Sequence, residues 1–443
     1  MESTLQALWS KSKLLVKALV IGFIILLLQI PTFYIKELIS EREARQKVAV
    51  AEVSGRWAGK QNLAGPVLVL PYRNSNEDSI QQTNTRQNAY FLPDELKITS
   101  EISPEEKYRG IYKVMLYTSQ ISMSGSFAGL HLEKLNIKPE EVIWDEAYLS
   151  IHIADMKGLN EDVKLKWKDK NIDVSTDDIE GRYLVARLNL QSLADATNSR
   201  FSAEINISGS QQLLFTPVGR TTTVHVKARW PHPSFTGDIL PLTSDIKKDS
   251  FYAQWKSIAQ KREFPQQWKD HAFEFYDNTD SNVTDIKGNI NYASFGVDLF
   301  VPVNDYQKIM RSIKYAALCI LLTFAAFFIV EITNKRSLHP FQYGLVGVAL
   351  VLFYTLLLSI SEYTGFDLAY IIASVCTIGL IAWFVKGMLD SSRLTTILSV
   401  VLMLLYTYMF VILQMQDYSL ILGSVGLFIT LAVIMHFSKK IKW

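Results

Sequence analysis

Five apolar runs crowd the last third of the chain and a sixth stands near its start, and no other feature of the sequence restricts the fold as strongly. A helix needs about 20 apolar residues to cross a hydrocarbon core about 30 Å thick. Residues 315–330 (extendable past Glu331 to 334), 341–361, 368–385, 394–416 and 418–438 approach or meet that length. Short charged or turn-forming connections separate them, which makes each run an antiparallel neighbour of the next. The sixth run, 18–35, follows Lys11, Lys13 and Lys17. A basic start before an apolar stretch is shared by cleaved export signals and retained anchors. Here the uncharged stretch has 18 residues, and the small-residue segment Ala49-Val50-Ala51 lies beyond seven charged side chains. The reading is a retained anchor.

Charge follows the same partition. Residues 1–35 carry 4 charged side chains and residues 314–443 carry 13, whereas the 278 residues between them carry 71. The overall 49% hydrophobic and 20% charged content is therefore an average over two materials. Unexceptional Gly and Pro, 12% aromatics and two cysteines exclude a disordered chain, a collagen and a disulfide-stapled miniprotein.

Lys and Arg in short loops set orientation, because they are retained on the cytoplasmic side. With the N-terminus in the cytoplasm, Lys335 and Arg336, Lys386 and Arg393, and Lys439, Lys440 and Lys442 all fall on one side. The opposite short loops, 362–367 and 416–419, hold neither Lys nor Arg. Six spans then place both termini in the cytoplasm and residues 36–313 outside it.

That middle segment has 34 basic and 37 acidic residues without a long block of one sign, so nothing in it recommends nucleic acid. Both cysteines, Cys319 and Cys376, fall inside apolar runs, and an ordinary core must hold the exported part. Its periodicity is two over 121–127, 201–208 and 224–230, and further β-rich runs cover 65–71, 112–118, 147–154, 183–190 and 293–301. The expected result is an antiparallel, sandwich-like architecture. Residues 123–126 and 207–210 share a Ser-Gly-Ser ending, a weak sign of duplication. Residues 41–53 read as helix, being rich in Glu, Arg, Gln and Ala. Ser40 and Glu43 have capping-box spacing, so this helix either starts afresh or continues the first span as a stalk.

Sites are sparse. The seven histidines show no His-x-x-x-His spacing, and there is no Gly-x-Ser-x-Gly elbow or phosphate-binding loop. Neither a metal nor a cofactor is expected. His152 and His225 occupy polar positions of alternating strands and read as solvated. The densest peculiarity is residues 230–241, where Pro231 and Pro233 end a strand at Trp230 and begin a rigid loop. Trp230, His232, Phe235 and Asp238 make this loop a candidate partner-docking surface; the plainer reading is that its aromatics pack on the core. Arg56 and Trp57 pose the same choice between binding a partner or headgroup and docking the stalk. Lys314, Glu331, Glu362 and His436 lie within a turn or so of the ends of the apolar runs, where snorkelling lowers the cost of an ionisable group, and Lys314, Glu331, His339 and Glu362 are the candidate membrane-edge polar residues. No charge sits at mid-depth, which disfavours ion coupling, while Tyr354, Ser359 and Ser374 leave room for a neutral-substrate path.

Taken together, Gly65-Pro66, residues 109–112, 230–241, Lys314-Tyr315-Ala316 through Phe324-Ala325-Ala326-Phe327-Phe328, Glu331, Leu338-His339-Pro340, Gln342-Tyr343, 344–347 and 361–366 resemble the CreD family of bacterial inner-membrane proteins, also called cell envelope integrity proteins. The resemblance spans nearly the whole chain. It implies an inner-membrane protein with a large periplasmic insertion, linked to envelope maintenance, a two-component stress regulon and altered colicin tolerance, and it carries no enzymatic residues. Family members that continue into a longer cytoplasmic tail would differ from this chain, in which Trp443 follows soon after the last run.

The expectation is thus an α+β membrane protein: a cytoplasmic N-terminus and first span (1–35), a β-rich, sandwich-like periplasmic domain with a helical stalk (36–313), and a five-helix bundle (314–443). Its partners would be the lipid bilayer and an unidentified envelope protein or lipid, and its oligomeric state is open. The leading function is non-enzymatic support of the envelope. A transporter, channel or flippase gated by the exported domain is the alternative, and an exported hydrolase ranks last.

Overall fold

A computed structural model describes residues 2–74, 85–176, 183–274, 289–299, 305–333, 338–389 and 391–415, with 421, 423–426, 428, 432 and 435 beyond them. It divides into two compact units, Met1–Lys47 with Val303–Trp443, and Val48–Pro302. The first is helical and the second β-rich.

Helix α1 (Glu2–Trp57) runs unbroken for 56 residues, about 84 Å at 1.5 Å per residue. It passes through Ser40 without a new start, so the stalk continues the first span. Good helix formers and i,i+4 pairs maintain it: Glu41 with Arg45 at 2.6 Å, and Glu43 with Lys47 at 3.4 Å. Pro31 sits inside the apolar part. Beside it, Gln29 and Thr32 return their side-chain donors to the carbonyls of Ile25 (3.2 Å) and Gln29 (2.7 Å), as polar groups in hydrocarbon must. Ile21, Leu28, Thr32, Ile35 and Ile39 form its buried stripe, while Leu19, Phe23, Leu26, Ile30 and Phe33 are exposed.

One helical turn, α2 (Leu193–Ala196), belongs to the β-rich unit. The remaining helices are α3 (Asp305–Lys314), α4 (Ala316–Thr333), α5 (Pro340–Thr364), α6 (Phe366–Leu389) and α7 (Ser392–Gln414). Helices α1, α5, α6 and α7 are long and apolar enough to cross a membrane, and α3 with α4, bent by 47°, makes a fifth if the pair is one span. Run 418–438 lies mostly outside the described residues. The bundle's outer surface carries exposed Phe341, Leu352, Val375, Trp383, Met403 and Leu404, a surface suited to acyl chains and not to water. Inside, Leu28 of α1 fills a notch at Gly347 of α5, where an added Cβ would stand 2.2 Å from Leu28 Cδ1.

The β-rich unit contains β1 (Gln61–Asn74), β2 (Thr85–Phe91), β3 (Glu95–Arg109), β4 (Tyr112–Phe127), β5 (Tyr148–Ile153), β6 (Lys164–Trp167), β7 (Lys170–Ile172), β8 (Tyr183–Arg187), β9 (Ser199–Ser210), β10 (Gln212–Thr216), β11 (Thr221–Ala228), β12 (Pro233–Gly237), β13 (Thr243–Ile246), β14 (Phe251–Ile258), β15 (Gln267–Lys269) and β16 (Phe295–Leu299). One sheet runs β12-β16-β10-β1-β2-β15, with β5 joining β1 to β8; the other runs β13-β14-β11-β3-β4-β9-β6-β7. One core draws on both, and Trp255 of β14 stacks on Phe295 of β16 with centroids 5.8 Å apart. The alternation read from 121–127, 201–208 and 224–230 appears as alternating burial in β4, β9 and β11.

The sheets are mixed, however, because β1 pairs parallel with β10 and β3 parallel with β11. Strand β1 is buried at every position from Gln61 to Tyr72, and its Gly65-Pro66 step lies at a register shift against β5. Gly65 has φ +122°, and a Cβ there would meet Ser150 O at 2.8 Å, so the bulge requires glycine. The two Ser-Gly-Ser endings have a packing cause. Gly125 lies opposite Phe201 and Gly209 opposite Tyr117 across the β4–β9 ladder, and each glycine makes room for the facing ring.

Candidate functional site

Polar side chains gather at two ends of the helical unit. At one end, Glu331 closes α4, and its carboxylate is ion-paired with Lys17 of α1. Tyr343 of α5 donates its hydroxyl to Glu331 Oε2 at 2.8 Å, and Leu338 N donates to Oε1 at 3.2 Å. Glu331 is only 8% exposed. The expectation that it snorkels at an edge is therefore corrected: it is buried and neutralised by a cation 314 positions earlier. A buried carboxylate without such a partner would be strongly unfavourable. His339, at the same end, caps α5. Its Nδ1 accepts from Phe341 N at 3.2 Å, while His339 N donates to Gln342 Oε1 at 2.8 Å.

At the other end, Glu362 of α5 accepts from Tyr306 OH of α3 at 3.1 Å and faces Arg42 of α1 at 3.7 Å. Next to it, Asp367 of α6 receives Lys308 of α3 at 3.5 Å and Gln414 of α7 at 2.6 Å. Lys314 is exposed in the last turn of α3. Tyr343 and Glu362 lie 19 residues apart on α5, about 28 Å along its axis, close to the thickness of a hydrocarbon core. Each cluster thus ties α1 to α5 at one rim of an apolar slab.

Sequence reasoning missed α3 and the two clusters. Tyr306, Ile309 and Ile313 recur at helical spacing and are buried, which was the available signal for α3. The pairing of Lys17 with Glu331 has no local signal.

Between the rims, Tyr354, Tyr370, Ser374, Thr377 and Tyr406 are buried. Tyr370 OH donates to Tyr406 O at 3.0 Å, and the Tyr406 hydroxyl and Ser374 Oγ have no partner among the described residues. Ser359 is exposed instead.

In the β-rich unit, residues 230–241 do not form the uninterrupted loop expected. Residues 233–237 are the edge strand β12 on β16, with Pro233 at its start, where a missing N–H is tolerated. Trp230 is buried and donates Nε1 to His232 O at 3.1 Å. Phe235 meets Trp255 edge-on at 5.6 Å and Phe251 at 6.0 Å. Of the four candidate residues only His232 and Asp238 are exposed, and Asp238 lines a cleft of about 680 Å³ with Lys261, Arg262 and Tyr292. The structure thus separates the four loop residues rather than grouping them.

Arg262 anchors that cleft's wall. Its Nη1 donates to Val218 O at 2.8 Å, its plane lies over Phe264 at 4.7 Å, and burial, helped by Arg220, lowers its pKa to about 10. His152 is fully buried against Tyr183, its cross-strand neighbour on β8, with ring centroids 5.3 Å apart, which overturns the solvated reading. His225 is half-buried, and its Nδ1 lies 2.6 Å from Tyr252 OH. Trp57 is 39% exposed at the end of α1. Among the described residues, no group of three or more His, Cys, Asp or Glu is placed to hold a metal ion.

An apolar-surfaced helical unit with ionic rims, continuous in sequence with a large two-sheet unit, defines a multi-span membrane protein with a β-rich insertion. The family model described as inner membrane protein CreD matches residues 13–443. The inner membrane protein CreD of Escherichia coli (strain K12) is 29% identical over 425 residues, covering 95% of this chain and 91% of that protein. The chain belongs to the CreD family of inner membrane proteins.

Proposed function

We propose that this inner-membrane protein is non-enzymatic and supports the cell envelope through contacts made by its β-rich region outside the cytoplasm. The observation that carries the reading is the pair of polar rims on an apolar-surfaced bundle. They assign each loop to one end. The Glu331 end adjoins Lys335 and Arg336, whereas the Glu362 end adjoins the 362–367 turn, which lacks Lys and Arg. Loop charge supports a cytoplasmic Glu331 rim with residues 36–313 in the periplasm, and both termini are then cytoplasmic if run 418–438 is a sixth span. A reporter active only in the periplasm is expected to work when fused at about residue 200 and to fail after Arg393; the reverse pattern overturns this orientation.

The contacts would be made with an envelope protein or lipid at exposed positions such as His232 and Asp238, and loss of the protein would alter the envelope stress response and colicin tolerance. Crosslinkers placed at His232 and Asp238 are expected to capture a discrete envelope component in cells, and capture equal to that from a scrambled surface position refutes the docking role.

A second reading, a transporter, channel or flippase, is favoured by the buried Tyr354, Tyr370, Ser374 and Tyr406. Saturable movement of a solute or lipid in proteoliposomes, absent from empty liposomes, would replace the first reading with this one.

A further inference from the structure

We propose that the elbow between α3 and α4 binds the phosphate of an anionic phospholipid through Arg311 and Lys314. Helix α3 buries Tyr306, Ile309, Ser312 and Ile313 against the bundle, which turns the opposite face outward. Arg311 and Lys314 lie on that outer face at i,i+3 spacing, the separation at which two helical side chains reach one ligand.

Two acids described at this rim are already engaged. Glu362 is held by Tyr306 and Arg42, and Asp367 by Lys308 and Gln414. Arg311 and Lys314 have no ion pair among the described residues, and Lys314 is exposed. Among the described residues these two cations thus stand without an ion partner on the helix whose Tyr306 meets Glu362 at this rim, that is, near headgroup level.

Below them the surface turns apolar. Leu321 of α4 is 48% exposed, and Val411 and Met415 at the end of α7 are 45% and 42% exposed. Helices α4 and α7 pack together, and α7 ends at this rim, where Gln414 meets Asp367. A phosphate above and an apolar wall below match a phospholipid rather than a free anion. The 47° bend between α3 and α4 falls between the two cations and the apolar stretch of α4, so both lie next to one elbow.

The test uses the purified full-length protein in detergent, delipidated and then mixed with phosphatidylglycerol or phosphatidylcholine of matched chains, with retained lipid counted by native mass spectrometry. Wild type is expected to retain the anionic lipid about thirtyfold better, as two juxtamembrane cations imply. The double variant Arg311→Gln, Lys314→Gln is expected to lose that preference, while Arg311→Lys and Lys386→Gln keep it. Equal retention of both lipids by wild type overturns the proposal and needs no variant to fold. A preference unchanged in the double variant, or displacement of the lipid by millimolar inorganic phosphate, also overturns it.

Discussion

Replacing Glu331 with alanine removes a carboxylate that three groups share. Lys17, whose side chain is 18% exposed, loses its counter-charge; the hydroxyl of Tyr343, a residue 1% exposed, and the amide of Leu338 lose their acceptor. Removing one member of a buried ion pair costs about 3–5 kcal/mol. Lys17 has a long stem near the end of its span and turns toward the headgroups, which places its share at the low end, about 3 kcal/mol. The orphaned phenol adds about 1 kcal/mol. The expected total is about 3–4 kcal/mol. Glu331→Gln keeps an acceptor for Tyr343 and should cost about half as much. The double variant Lys17→Met, Glu331→Met removes both charges together and should lie within about 1–2 kcal/mol of wild type. With the single variants Lys17→Met and Glu331→Met, reversible unfolding in mixed micelles, read by far-UV circular dichroism, completes the double-mutant cycle with an expected coupling of about 2 kcal/mol or more. A Glu331→Ala change costing under about 0.5 kcal/mol, with additive singles, would refute the buried pair.

Three further outcomes follow from particular contacts. Gly347→Val drives a Cβ into Leu28 and should destabilise the bundle by about 1–3 kcal/mol, measurable as a lower Tm in detergent and faster proteolysis of α1. Gly209→Val places a Cβ 2.3 Å from Tyr117 OH and should disrupt β-rich packing to a similar degree, read by near-UV circular dichroism, with partial rescue by Tyr117→Ala. The His225 pKa is depressed by burial and then by Lys97, so the folded state prefers the neutral ring. Its stabilising share is present above the unfolded value of about 6.5 and is lost as pH falls from there through the lower folded pKa. Lys97→Gln should raise the His225 titration midpoint, followed by NMR of the imidazole.

The strands whose apolar residues alternate were legible because one face meets the core and the other meets water, as in β9 and β11. The same rule misplaced His152, since alternation assumes a wet face and the end of β5 is buried on both, from Ile151 through Ile153. Whether the stalk broke at Ser40 was open because a capping box competes with continuous helix formers, and α1 takes the continuous path. Parallel pairing of β1 with β10 and of β3 with β11 depends on residues far apart in sequence and leaves no local mark. The rims were half legible. Glu331 and Glu362 stand out as acids at the ends of apolar runs, but of their partners Lys17 reads as part of the basic start before the first run and Arg42 carries no signal of its own. At residues 230–241 the plainer reading held for Trp230 and Phe235, which pack inward.

The placement of β1 also governs when the β-rich unit acquires its structure. Its first residues pair with β10, with Gln61 opposite Leu213, and β10 is in turn lined by β16, near residue 299. The earliest strand therefore waits for more than 150 further residues before its parallel edge is satisfied. Contacts of such sequence separation slow folding and prolong the exposure of unpaired edges. An emerging chain can pair the second half of β1 with β2 early, but leaves the first residues of β1 without their parallel partner until β10 has been made, so the yield of this protein should depend more on chaperones than on the stability of the finished sheets.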